Sequence, residues 1–412
     1  MKIMVLTPYL PHRQVGHGGG TAVRDLVTQL ARRHQVLVAS FLRPGEEERV
    51  ADVQALGAQV ASLPFADHSA RGLARLGLWR SRLGSGLRSL RTGFPPYVEK
   101  YWSPALRDRF LRLVQEFQPD AVQIEYLQLS LYARDLRRRR RAQGRSSPRI
   151  ILNTHELGSV PRLRRARRAG HPLSRQLHLA EARRWRHLQQ EACRWADRTL
   201  CVTDEDRALY EQQGGRNLLT VPLGMDLEAI RPDRAPQGRD CLFVGSFGHR
   251  PNVLAARLLT REIWPLVLRR CPAARLILAG RGSREFLAAE SAPAHGIEAR
   301  GFVEDLGPLF RTSRLFVAPL PEGGGIKIKI LEALARGIPV LTTPVGAEGI
   351  AGAADGVMTI TAADRTFADA ILDALDDPQA EERAARARRH MEEKFGWEAI
   401  ANRLAGIYAG QE

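Results

Sequence analysis

Three consecutive glycines, Gly323, Gly324 and Gly325, are followed by Ile326, Lys327, Ile328 and Lys329, and three residues later by Glu332. A run of glycines lets the backbone approach a ligand closely. The residues behind it, 331–336, are strong helix formers, and Gly337 stands where a helix would end. Such a helix turns its free N–H groups and positive end into the glycine loop. Lysines in a first helical turn oppose the dipole, which favours acids there. An anion seated between them resolves the conflict, and the chemistry this implies is the binding of a diphosphate. Ile326, Ile328 and Ile330 alternating with the two lysines would also suit a half-buried strand. The triple glycine is a poor start for a strand, so the helix is the expectation.

Apolar runs at 315–319 and 338–343 flank this stretch, which therefore reads strand, glycine loop, helix, strand. The same alternation fills the rest of the chain. Strands are expected at 2–7, 35–41, 120–125, 149–153 and 199–202. Helices are expected at 21–33, 104–117, 127–141 and 177–195, with Gly16, Gly18, Gly19 and Gly20 in a long turn before the first. After Val221-Pro222-Leu223-Gly224-Met225-Asp226 and a polar run at 231–240, read as linker, the pattern restarts. Strands follow at 241–245, 275–280 and 356–360, and helices at 253–270, 305–312, 363–375, 379–394 and 397–408. Apolar strands alternating with helices predict an α/β protein with parallel sheets covered on both faces. The expected domains are 1–220 and 221–394, with the terminal helix, about 395–412, packing back on the first. Two doubly wound, Rossmann-like domains facing a central cleft is the expected architecture, with ligands at the carboxyl ends of the strands.

A chain of 412 residues is long for one core, and 44% apolar residues is a globular composition. No apolar run approaches the roughly 18 residues of a membrane span. The chain enters 2–7 with no signal h-region or cleavage site, so a cytoplasmic protein is expected. Cys193, Cys201, Cys241 and Cys271 lack metal-site spacing and read as reduced core residues. A net charge of +17, mostly arginine, favours anionic partners.

In order, the glycine turn 18–20, Asn153-Thr154-His155-Glu156, Val202-Thr203-Asp204-Glu205-Asp206, the 221–226 stretch, Phe243-Val244-Gly245-Ser246-Phe247, Ala279-Gly280, Gly301-Phe302-Val303, Lys329–Ala335 and Gly349-Ile350 make a series. This series resembles the retaining GT-B glycosyltransferases of family 4, the glycosyl transferases group 1, and is most similar to bacterial exopolysaccharide and lipopolysaccharide sugar transferases. The resemblance implies transfer of a hexosyl-type sugar, with retention, from a UDP- or GDP-linked donor to a glycan or lipid-linked acceptor; with the helix end and lysines carrying the charge, no metal or other cofactor is expected. It assigns Glu332 to the ribose hydroxyls, and a donor set of Gly19, Gly20, Gly245, Arg250, Asn252, Gly323, Gly324, Gly325, Ile326, Lys327 and Lys329. His155, Glu332 and Lys329 are the expected catalytic residues; Glu125, Tyr126, His155 and Glu156 are the acceptor-side candidates. Two departures stand out. Gly324 occupies the position of the family's first donor-loop glutamate, with Glu322 two residues earlier. Ser246 and Pro251 stand where a family arginine and lysine would fall, leaving Arg250, Lys327 and Lys329 to neutralise the diphosphate.

The 71–91 segment interleaves Leu73, Leu76, Trp79, Leu83, Leu87 and Leu90 with six arginines. That mixture suits a helix on an anionic membrane, and hence a peripheral position on the inner face of the plasma membrane. Gly72, Gly77, Gly84 and Gly86 weigh against one continuous helix. A nucleotide-sugar 2-epimerase shares the architecture and is the enzymatic alternative. A basic RNA- or membrane-binding protein would explain the charge, but aromatics are only 6% and scattered, so no nucleic-acid partner is expected. The chain has no Gly-Lys-Ser/Thr sequence, which excludes a P-loop ATPase, and the lack of a complete dinucleotide fingerprint after its first strand weighs against a dehydrogenase.

Overall fold

In the computed structural model the apolar runs form parallel strands; it describes residues 1–13, 18–65, 74–143, 147–155, 157–236, 238–290, 295–323, 326–350 and 356–412, with backbone alone for 18, 74–82 and 143. The chain divides into two compact units, Met1–Met225 with Trp397–Glu412, and Asp226–Gly396.

In the first unit the strands are β1 (Lys2–Thr7), β2 (Gln35–Leu42), β3 (Gln59–Pro64), β4 (Ala121–Glu125), β5 (Arg149–Asn153), β6 (Arg198–Cys201) and β7 (Leu218–Thr220). Among the described residues they make one seven-stranded sheet in the order β3-β2-β1-β4-β5-β6-β7, with every pair parallel. Side chains alternate between the two faces of a strand. Met4, Leu6, Val122 and Ile124 pack with Phe110, Tyr132 and Leu188 on one face. Ile3, Val5 and Ala121 meet Val27 and Leu30 of the helix Gly18–Ala31, and Ile400, Leu404 and Ile407 of the helix Trp397–Ala409, on the other. The last helix thus completes the core of a sheet whose first strand lies almost four hundred residues earlier. Arg403 reinforces it by donating to the Thr220 carbonyl at 2.6 Å.

The second unit holds β8 (Arg239–Val244), β9 (Ala274–Ala279), β10 (Ile297–Gly301), β11 (Leu315–Ala318), β12 (Val340–Thr342) and β13 (Thr359–Ile360). These form a parallel six-stranded sheet in the order β10-β9-β8-β11-β12-β13 among the described residues. Each sheet reverses its direction of growth once, between β1 and β4 and between β8 and β11. Those points are where doubly wound sheets accept ligands.

Several local expectations change. Gly18, Gly19 and Gly20 are the first turn of the helix Gly18–Ala31, not a turn before it. The helix Ala74–Thr92 runs through Gly77, Gly84 and Gly86 without a break, while 71–73 lie outside the described residues. Strands β3, β7 and β10 are only half-buried over much of their length, so no apolar run announces them. The expected helix 253–270 is three segments, Arg250–Leu258, a π-helical turn Leu259–Ile263, and Trp264–Arg270. The polar run at 231–240 belongs to the second unit, where Arg388 donates to the carbonyls of Leu227 and Ile230 at 2.8 and 2.6 Å. The four cysteines are free and buried, and burial pushes the Cys193 thiol up to about 11.

Candidate active site

At the switch point of the second sheet, the loop after β8 and the helix Ile328–Ala335 after β11 are tied together by Asn252. Asn252 lies in the first turn of the helix Arg250–Leu258. Its Nδ2 donates to the Ser246 carbonyl at 2.9 Å, and its Oδ1 accepts from Lys329 Nζ at 2.6 Å. Gly245 makes room for this bridge, since a Cβ there would come within 2.8 Å of Asn252 Cγ. The Lys329 ammonium also sits 4.8 Å above the Phe243 ring. Burial, and then repulsion from Lys327, brings Lys329 down to about 7. The Lys327 side chain is 8% exposed and lies 3.4 Å from the Glu348 carboxylate.

Lys329 is in the first helical turn as expected, whereas Lys327 occupies the cap position before it. Gly337, at φ 67°, closes the helix with its amide donating to the Leu334 carbonyl at 3.0 Å. Arg250, 78% exposed, pairs with Glu322 at 3.3 Å. Burial and the neighbouring Lys329 lower the His249 imidazole below its ordinary range, with Glu322 opposing. Glu332 is half-buried and pairs with Arg336 one turn on, at 3.1 Å. Burial raises its carboxyl above the usual range, against the pull of Arg336. Ile326 is half-buried just ahead of these lysines, and Gly323 turns the loop at φ 153°. Gly324 and Gly325 lie outside the described residues.

The switch point of the first sheet has a different composition. Glu125 ends β4 with 0% of its side chain exposed. It accepts from Gln123 Nε2 at 2.5 Å and from Asn153 Nδ2 at 3.1 Å, and it lies in hydrogen-bond contact with His155 Nε2. The His155 ring stacks on Tyr126, with centroids 3.9 Å apart and planes within 10°. Both residues adopt positive φ, 55° and 70°, a conformation that costs non-glycine residues about 1–3 kcal/mol each and that gathers at functional sites. The Tyr126 hydroxyl lies against Gly19, where a Cβ would come within 1.9 Å of it, so the phenol explains the glycine there. Gly20, in the same turn, is buried. The structure therefore brings Glu125, Tyr126, His155 and Gly19 together, while Glu156 lies outside the described residues. Among the described residues no three His, Cys, Asp or Glu side chains are grouped to hold a metal ion.

Glu348, Gln123 and Tyr408 were not singled out by sequence reasoning, and Phe243 was read only as part of the stretch 243–247. Glu348 adjoins a recognised motif, Gly349-Ile350, and could have been found there. Gln123 and Tyr408 carry no local signal.

The sequence model of Glycosyltransferase Family 4 matches residues 16–229, and that of Glycosyl transferases group 1 matches 238–377. This chain belongs to glycosyltransferase family 4. Among its curated relatives are a glycogen synthase of Mycobacterium tuberculosis, 29% identical over 57% of this chain and 58% of that one. A phosphatidyl-myo-inositol mannosyltransferase of Mycobacterium leprae is 23% identical over 51% and 58%. The lipopolysaccharide core biosynthesis mannosyltransferase LpsB of Rhizobium meliloti is 29% identical over 40% and 51%. The chain thus spans less than two thirds of the length of each. Solved structures similar to this family 4 member include the sucrose-phosphate synthase of Thermosynechococcus elongatus, at TM-score 0.70 and 15% identity, covering 100% of this chain and 98% of that one. Anabaena HepE in complex with UDP follows at TM-score 0.65 and 15% identity, covering 100% of both chains. The fold of the family 4 chain is that of the GT-B glycosyltransferases, with two parallel-sheet α/β units.

Proposed function

We propose that this chain is a retaining, metal-independent hexosyltransferase that takes a sugar from a UDP- or GDP-linked donor and delivers it to a glycan or lipid-linked acceptor. The observation that carries the reading is the Lys329–Asn252 bridge, with Lys327 beside it, at the carboxyl end of the second sheet's central strands. The diphosphate would sit against these ammonium groups and the start of the helix Ile328–Ala335, which supply positive charge that needs no reorganisation as the leaving group departs. Glu332 would hold the ribose hydroxyls. In the first unit His155 would orient the acceptor hydroxyl. The anomeric carbon's bond to the diphosphate oxygen breaks as the acceptor oxygen bonds to the same face, and the acceptor's proton passes to the departing diphosphate. Support for the substrate classes comes from related proteins: one relative is named as GDP-mannose-dependent, and Anabaena HepE was solved with UDP-glucose.

Thermal-shift screening across UDP- and GDP-sugars tests this directly. A donor present at a hundred times its Kd raises stability by about 2.7 kcal/mol, and Lys327→Ala with Lys329→Ala should erase the shift. No shift with any nucleotide sugar would sink the proposal. Interconversion of the donor's sugar with no acceptor would point instead to an epimerase.

A lipid-linked acceptor also gives meaning to an exposed face of the first unit. Leu83, Leu87 and Leu90, 65, 63 and 72% exposed, form one stripe on the helix Ala74–Thr92. That helix packs on the helix Pro172–Trp195, where Arg184 donates to Ser89 Oγ at 3.1 Å and Phe94 stacks on His187. Leu173 and Leu177 are exposed there too, with Arg165, Arg167 and Arg175 exposed nearby. Among the described residues no helix is long and apolar enough to cross a membrane. The reading is peripheral docking on the anionic inner face of the plasma membrane, from the cytoplasmic side. Sedimentation with phosphatidylglycerol vesicles at low salt should capture the protein, and Leu83→Glu with Leu87→Glu should release it. Equal recovery of both proteins with the vesicles would refute docking through this stripe.

A further inference from the structure

We infer that Tyr408, Gln123 and Glu125 act as positioning residues that hold the proton of His155 on Nε2, so that Nδ1 is the ring nitrogen presented to the acceptor. The inference rests on the reading of His155 as the acceptor-handling residue. Gln123 and Glu125 are two apart on β4 and so share a face, and β5 places Asn153 directly beside Glu125 in register. The helix Trp397–Ala409 packs on that face and delivers Tyr408, 2% exposed, to Gln123.

Each hydrogen bond dictates the next. The Glu125 carboxylate turns the Gln123 amide nitrogen toward itself, which leaves Gln123 Oε1 to accept from the Tyr408 hydroxyl. A flipped amide would set oxygen against carboxylate oxygen. Burial, and then the Glu125 charge, keep the Tyr408 phenol protonated by raising it well above its ordinary value. Glu125, taking donors from Gln123 and Asn153, is an acceptor toward His155, whose Nε2 must therefore carry a proton. The Tyr126 stack sets the plane of the ring, and Glu125 sets its rotation within that plane. Tyr408, which the chain reaches only after the whole second unit, thereby supports the proton of a histidine that follows β5.

The imidazole ¹⁵N spectrum of the full chain, above the titration range of its histidines, reads this state. Eleven histidines are present, so the signal missing in His155→Ala identifies the one of interest. The wild type should show an Nε2-protonated ring. Glu125→Gln should shift it to a mixture and lower kcat roughly tenfold with donor KM unchanged, the scale of one hydrogen bond to a charged group. Tyr408→Phe removes a single oxygen and should move the spectrum part of the way, with kcat down about fivefold. It carries the test alone if Glu125→Gln does not fold. An Nδ1-protonated wild type, or an unaltered His155 signal in both variants, would overturn the inference. Wild-type kcat in His155→Ala would instead overturn the functional reading beneath it.

Discussion

The two switch points share one architecture and oppose each other in charge. Where the second sheet reverses, an ammonium is pressed into a half-buried place beside another cation, and Lys329 falls to about 7. Where the first sheet reverses, a carboxylate with no exposed surface takes donors from Gln123 and Asn153 and meets the His155 ring. A crowded cation has much to gain from an anion. A carboxylate already supplied with donors has little to gain from any ligand, and its use is to fix the group attached to it. The difference teaches that similar sheet topologies can place a crowded cation at one switch point and a fully buried carboxylate at the other.

Substitution of both lysines should have the largest effect. Charge-assisted hydrogen bonds contribute about 1.5–3 kcal/mol each, so Lys327→Ala with Lys329→Ala should weaken donor binding by roughly a hundredfold or more, measured by calorimetric titration. A change of less than threefold would place the diphosphate elsewhere. Asn252→Ala leaves both charges but unties Lys329 from the loop after β8. We expect donor affinity to fall about tenfold, the scale of one hydrogen bond to a charged group, with no change in the protonation of His155.

Gly19→Ala probes the opposite side of the comparison. The added methyl would collide with the Tyr126 hydroxyl and shift the ring on which His155 stacks. Its signature should be a kcat lowered by several-fold with donor affinity untouched, because the effect stays in the first unit. Loss of donor binding here would instead support the original assignment of Gly19 to the donor.

The last effect concerns pH. Lys329 lies near 7 in the folded chain and near 10.5 when unfolded, so between those values the unfolded state binds more protons. Stability of the donor-free protein from this group should therefore rise as pH climbs from about 7 towards 10. Lys329→Met should flatten that part of the Tm–pH curve, and an identical slope in both proteins would show that the ammonium is not crowded. Glu332, raised by burial, contributes in the reverse sense, losing stability as pH rises through its folded value.

Much of the fold was legible because buried parallel strands are apolar throughout. β1, β5 and β11 announce themselves in this way, and the helix ending at Gly337 is marked by its composition and its stop signal. The half-buried β3, β7 and β10 lacked that signature, as did the arginine-rich helix Ser159–Arg168, whose polar surface hides its periodicity. Lys327, Lys329 and Glu332 could be picked out because their chemistry is concentrated in a dozen residues.

Local composition and periodicity determined the alternation of strands and helices, the likeness to family 4 and the cationic loop, since each depends on neighbours in the chain. Only the tertiary structure decided which polar side chains meet. Gln123 and Tyr408 are 285 residues apart, and Lys329 and Asn252 are 77 apart. Neither pair is encoded by spacing; each exists because sheet order and the returning terminal helix bring distant segments to one place.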